Sequence, residues 1–162
     1  SLMSRDTSLK PEVIVEHAAR YCAEHGSKLT AKRRQVLTSL VKSKKALSAY
    51  DLVDDSRQGV EATLLPMSVY RILRFLQSIG FVHRLNTANK YVACAHITCD
   101  HAHATPQFLI CTGCSNVKEV GVANDLTESI ALAAETTGFR LLSNQLELEC
   151  LCNDCAMPEL GT

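Results

Sequence analysis

Apolar residues recur at helical spacing four times in the first half of the chain. Pro11 suits a first helical turn, and residues 12–25 carry Val13, Ile14, Ala18 and Tyr21 until Gly26 interrupts them. Thr30 is placed to N-cap a second segment with a Val36, Leu37, Leu40, Val41 stripe. Ser48-x-x-Asp51 is a capping-box variant that opens a third helix around Tyr50–Arg57. After Pro66, the positions Val69, Ile72, Leu73, Leu76 and Ile79 predict a fourth helix, which Gly80 ends. Two strand-like runs follow, Phe81–Leu85 and Lys90–Ala93, with Asn86-Thr87-Ala88-Asn89 as the turn between them. Helices followed by a small hairpin predict a winged helix-turn-helix.

The second half has a different rhythm. Phe108-Leu109-Ile110 and Val117–Val122 predict a strand and its return, and residues 123–137 a helix with Leu126, Ile130, Ala133 and Ala134 on one face. Phe139–Leu142 and Leu146–Glu149 predict two further strands. One helix and half-exposed strands bury too little alone, so a partner subunit is expected to cover them. The fold class expected is α+β: a winged-helix domain over 1–93, a hinge and ligand segment over 94–104, and a small domain over 105–162.

Composition sharpens this division. The 162 residues are long enough for one ordinary domain or two small ones, and with 5% aromatics and no Trp, two small cores are the expectation. Ser1-Leu2 ahead of Met3 reads as a cloning remnant and is set aside. Apolar runs are too short for a membrane span and no export signal is visible, so a soluble cytoplasmic protein is expected. In that setting eight cysteines read as metal ligands or reduced thiols rather than a disulfide framework. The net charge of zero hides a split. Residues 1–90 hold 15 Lys+Arg against 8 Asp+Glu, a net of +7, and residues 91–162 hold 2 against 9, a net of −7. A basic half joined to an acidic half points to one domain that meets a polyanion and one that does not.

The fourth helix sharpens the polyanion reading. Its polar face carries Ser68, Tyr70, Arg71, Arg74 and Ser78, the side-chain types that enter a DNA major groove. Lys32, Arg33 and Arg34 crowd the first turn of the second helix, where cations oppose the helix dipole at roughly 0.3–1 kcal/mol each. Solvation alone accounts for any one of them; together they suggest phosphate contact. Charge, helix face and hairpin agree on double-stranded DNA as a partner.

Two further patterns carry metal chemistry. Cys111-x-x-Cys114 and Cys152-x-x-Cys155 are paired knuckles that suit one tetrahedral zinc ion, closed and structural, with no open position for catalysis. A thiol oxidoreductase using one CxxC pair is the alternative of another class, and a zinc-ribbon interaction module a third. Between the halves lie His83, Cys94, His96, Cys99, His101 and His103, with Glu119 beyond the first knuckle. The set chosen for a second, regulatory zinc is His83, Cys94, His103 and Glu119, with His101 as the substitute for His103. His96 and Cys99 are read as non-ligating, and Cys22 and Cys150 as small packed hydrophobes. A thiolate among imidazoles suits zinc, whereas a purely His and carboxylate site suits iron or manganese.

Met67-Ser68-Val69-Tyr70-Arg71-Ile72-Leu73 and Gly80-Phe81-Val82-His83 resemble the recognition helix and following strand of the ferric uptake regulator family. Leu29-Thr30-Ala31-Lys32-Arg33, Ser48-Ala49-Tyr50-Asp51-Leu52 and the paired knuckles match it too, so the likeness runs from the first helix to Cys155. Ser48-Ala49-Tyr50-Asp51, Tyr91-Val92-Ala93-Cys94 and Val117-Lys118-Glu119 are closest to its zinc uptake regulator branch. The resemblance implies a homodimeric repressor, not an enzyme, that binds operator DNA when zinc-loaded. It implies DNA contacts from Tyr70 and Arg71, and zinc sensing by His83, Cys94, Glu119 and a histidine of the 101–103 pair. Iron- and peroxide-sensing members of the family would share the fold and the knuckles. Ser68 stands where the family usually has Thr and keeps the hydroxyl, while the segment between Cys94 and Cys111 aligns poorly.

Overall fold

The computed structural model describes residues 9–98 and 106–157. The chain divides into two compact units, Ser1–Cys99 and Asp100–Thr162. No described helix is long and apolar enough to cross a membrane.

The first unit contains α1 (Pro11–Glu24), α2 (Ala31–Lys42), α3 (Ala49–Gln58), α4 (Pro66–Ser78), β1 (Val82–Leu85) and β2 (Lys90–Ala93). Its local signals act where the sequence puts them. Pro11 and Pro66 occupy first turns, where a missing N–H costs nothing. The Thr30 side chain accepts from the Arg33 N–H, and Ser48 and Asp51 cap reciprocally, at 3.0 and 2.9 Å. Gly80 takes φ 82°, so α4 turns directly into the hairpin. β1 and β2 pair antiparallel with His83 opposite Val92, and Leu47 adds a bridge to Tyr91 that ties the α2–α3 connection to the wing.

One core holds this unit together. Val36, Leu37 and Leu40 of α2, Leu52 and Val53 of α3, and Val69, Leu73 and Leu76 of α4 are buried together with Phe81, Val82 and Tyr91. The turn between α3 and α4 is fixed from within. Buried Ser56 donates to the Val53 carbonyl and accepts from the Leu64 N–H, and Gln35 Nε2 donates to the Ala62 carbonyl. α4 therefore seats its apolar stripe on this core and leaves Arg71, Arg74 and Ser78 exposed.

The second unit contains β3 (Pro106–Cys111), β4 (Val117–Gly121), α5 (Asn124–Thr136), β5 (Glu147–Cys150) and a short α6 (Asn153–Ala156). Its sheet has the order β4-β3-β5, with β3 antiparallel to β4 and parallel to β5. Phe108 is fully buried in the central strand. Buried Gln107 donates from Nε2 to the Asn144 carbonyl and accepts the Leu146 N–H at Oε1, which delivers β5 to β3 in register.

The strand expected over Phe139–Leu142 is not formed. Gly138, at φ 86°, ends α5, and the Phe139 N–H bonds back to the Ala134 carbonyl as part of the helix cap. Phe139 and Leu142 are 72% and 92% exposed. α5, the helix expected to carry Leu126, Ile130, Ala133 and Ala134 on one face, has no buried residue within this chain.

Candidate metal centre and nucleic-acid interface

Both knuckles leave the ends of neighbouring parallel strands. Cys111 closes β3 directly opposite Cys150, which closes β5, and the Thr112 N–H donates to the Cys150 carbonyl at 2.9 Å. Parallel pairing brings Cys152 beside Cys111. Cys152 then caps α6, whose turn returns Cys155 to the cluster. On the first knuckle, the Ser115 N–H donates to the Cys111 carbonyl at 2.9 Å, and Ser115 takes φ 68° to complete the tight turn.

The four sulfurs of Cys111, Cys114, Cys152 and Cys155 lie within 4.8 Å of one another. Cys114 Sγ and Cys152 Sγ are 3.8 Å apart, far beyond a disulfide bond. Four sulfurs at about 2.3 Å from a tetrahedral zinc would stand about 3.8 Å from each other. The donor set and its spacing therefore fit a closed zinc site, and the site draws on both knuckles, unlike a redox pair formed within one CxxC.

The backbone prepares this site for charge. Cys111 Sγ accepts from the N–H groups of Gly113 and Cys152, each at 3.3 Å. Those donors, Cys152 first and joined by the Cys114 N–H, hold its thiol down from 9.0 to about 6. Cys155 is pushed up to about 12, because its thiol bonds to Cys152, Cys111 and Cys114 and gives up those bonds on ionising. Gly113 was not singled out from the sequence. A Cβ there would stand 2.8 Å from Cys155 Sγ and 3.0 Å from Cys155 Cβ. A small residue between the paired cysteines was the available signal.

In the first unit, the wing brings His83 and Cys94 together. His83 lies on β1 and Cys94 follows β2, where its N–H donates to the Phe81 carbonyl at 2.8 Å. A ring nitrogen of His83 and Cys94 Sγ lie within 4.8 Å of each other. Both side chains are half-buried, and Cys94 packs against the core. The His96 N–H donates to Cys94 Sγ at 3.3 Å. In the second unit, Glu119 is half-buried on β4, opposite Phe108. His101 and His103 lie outside the described residues, as does Cys99.

On α4, Arg71 and Arg74 are exposed, whereas Ser68 and Tyr70 are half-buried and Tyr70 packs partly against the core. Lys32 is exposed at the start of α2. The other two cations of that turn are held within the protein. Arg34 pairs with Glu16 at 3.1 Å. Arg33 donates from a terminal nitrogen to the Lys28 carbonyl at 2.7 Å and lays its guanidinium 3.6 Å from the centre of the Phe75 ring on α4. That contact joins residues 42 positions apart, which spacing alone does not reveal.

Residues 24–149 match the model of the ferric uptake regulator family. The zinc uptake regulation protein of Escherichia coli (strain K12) is 36% identical over 146 residues, which span 90% of this chain and 83% of that protein. The peroxide operon regulator of Bacillus subtilis (strain 168) is 29% identical over 148 residues, spanning 90% and 95%. A solved structure described as a zinc uptake regulator complexed with zinc and DNA superposes with a TM-score of 0.77. It is 32% identical, over 94% of this chain and 99% of that one.

Proposed function

The chain belongs to the ferric uptake regulator family, and on that premise we propose a zinc-responsive transcriptional repressor that binds operator DNA as a zinc-loaded homodimer. Its regulated genes would be those of zinc uptake, and its place of action the cytoplasm. It is read as a regulator and not an enzyme. The observation that carries the reading is a thiol, Cys94, within reach of the His83 imidazole on the wing. Soft sulfur beside imidazole selects zinc over iron or manganese, whose regulators favour nitrogen and oxygen donors. The likeness to a zinc uptake regulation protein at 36% identity, against 29% for the peroxide regulator, supports the same choice.

The proposal assigns one structural and one regulatory zinc to each subunit. Cys111, Cys114, Cys152 and Cys155 hold the structural ion. His83 and Cys94, joined by Glu119 and by His103 or its substitute His101, hold the regulatory one. A bound ion supplies a strong directional tie among its ligands. His83 and Cys94 come from the DNA-reading unit and Glu119 from the other, so ligation restrains one unit against its neighbour. Arg71 and Arg74, with Tyr70 and Ser68, then meet base edges and phosphates in the major groove, and Lys32 meets the backbone. Coupling of this kind is typically ~1–3 kcal/mol, and operator DNA must tighten zinc binding by the same factor.

The test is an operator titration at fixed salt across buffered free zinc, with iron and manganese as controls. Zinc should tighten binding and the other metals should not. Cys94→Ser should abolish the zinc response while keeping the structural ion. An unchanged response in Cys94→Ser would refute the regulatory site, and a wild-type protein indifferent to zinc would refute the repressor.

A further inference from the structure

Arg33 sits at the start of α2, beside Lys32 on the basic edge, where a phosphate contact is the obvious assignment. Its surroundings argue for another role. The Thr30 side chain accepts its backbone N–H, the Lys28 carbonyl accepts a guanidinium N–H at 2.7 Å, and the guanidinium carbon lies over the Phe75 ring, 3.6 Å from its centre. A cation at a helix N-terminus is electrostatically misplaced. Here the carbonyl and the negative face of the ring offset that cost, and both would be forfeited if the side chain swung out to DNA.

Phe75 is what gives the contact its consequence. It stands one helical turn beyond Arg71 and directly after Arg74 on α4, the two exposed cations of the recognition helix. The apolar stripe of α4 seats the helix on the core, but a stripe of Val, Ile and Leu tolerates small rotations about the helix axis. A guanidinium held over the ring, and hydrogen-bonded through a terminal nitrogen to the segment before α2, restricts that rotation. Arg and Lys differ here, since only the guanidinium can stack and donate in the same fixed geometry.

We propose that Arg33 is a positioning residue for operator recognition: it clamps Phe75 and thereby sets the angle at which Arg71 and Arg74 meet the bases, without contacting phosphate itself. This inference rests on the repressor reading. It predicts a loss confined to sequence-specific binding, since non-specific binding depends on charge and tolerates a rotated helix.

The experiment uses the zinc-loaded full chain, an operator selected from a random duplex pool, and a random-sequence duplex as the non-specific probe. Arg33→Lys keeps the charge and should weaken operator binding about tenfold, with non-specific affinity and the slope of log K against log salt unchanged. Phe75→Leu should reproduce that loss, and Arg33→Lys combined with Phe75→Leu should add little more, as expected for two ends of one contact. Circular dichroism melts at the assay temperature identify any variant that is merely unfolded; Phe75→Leu serves alone if Arg33→Lys fails to fold. A salt slope shallower by about 0.9 in Arg33→Gln, with Arg33→Lys behaving as wild type, would make Arg33 a phosphate contact and overturn the proposal. Wild-type discrimination in Phe75→Leu would overturn it as well. A wild-type chain that selects no sequence from the pool would instead sink the repressor reading on which it stands.

Discussion

At Gly113 one methyl group decides whether the thiol cluster can close. An added Cβ would stand 2.8 Å from Cys155 Sγ, a separation that side chains do not sustain, and the atom in the way is a ligand. Gly113→Ala is therefore expected to weaken zinc binding at the four-cysteine site by about 10–100-fold, the range seen when the shell around metal ligands is disturbed. Competition with a chromophoric chelator measures it, and wild-type affinity would show that the knuckle has room to spare. Cys111 offers a second reading of the same site. Its thiol titrates near 6 instead of 9.0 because backbone N–H groups, that of Cys152 above all, stabilise the thiolate. A depressed acid favours the fold above its unfolded value and loses that contribution as pH falls through the folded one. Metal-free protein should thus gain stability from this group above pH 9 and lose it progressively between about 9 and 6. The accompanying rise in thiolate absorbance near 240 nm should centre close to pH 6 and vanish in Cys111→Ser. Cys155 works in the opposite sense, its thiol form being favoured up to about 12.

At the scale of elements, what could be read in advance was whatever is encoded locally. Pro11, Thr30, Ser48, Pro66 and Gly80 mark helix boundaries through backbone chemistry that needs no distant partner. The capping box makes the point quantitatively. Ser48→Ala removes the acceptor of the Asp51 N–H and should cost about 1 kcal/mol, read as a lower urea midpoint with an unchanged slope. An unshifted midpoint would mean that tertiary packing alone holds the start of α3. Phe139–Leu142 shows the limit of such reading. Its apolar residues look like a strand, yet strand formation needs an edge to pair with, and the preceding Gly138 diverts the Phe139 N–H into the cap of α5. The parallel alignment of β3 with β5 was equally hidden, because it depends on the Gln107 side chain bonding across 37 and 39 residues to Asn144 and Leu146. The four cysteines were legible from spacing. The backbone donors that tune Cys111, and the Arg33–Phe75 contact, were not, since each joins segments whose meeting only the fold decides.

For the molecule as a whole, the contrast between the two units is the informative quantity. The first encloses a core of nineteen buried residues, though Leu9, Val13, Tyr50, Val60, Leu65 and Met67 stay open; in the second, only Gln107, Phe108 and Cys111 are buried among the described residues, and Leu126, Leu132, Phe139, Leu142, Leu148 and Leu151 are between 46% and 92% exposed. Large apolar side chains left open beside so small an interior mark a surface that binds protein. The family is one of DNA-binding regulators, and a repressor reading two half-sites needs a two-fold partner, so a second copy of this unit is the occupant that satisfies both demands. Acidic residues predominate elsewhere in this half, which keeps it from competing for DNA and leaves apolar contact as the force for association. A charge placed in that surface should therefore separate the subunits without unfolding either. Leu132→Glu, 61% exposed on α5, is expected to give a monomer in sedimentation equilibrium with its zinc-bound thiols and its circular dichroism retained. Operator affinity should then fall towards that of a single half-site. A variant that still sediments as a dimer would place the contact surface elsewhere, and the exposed face of α5 would need another partner.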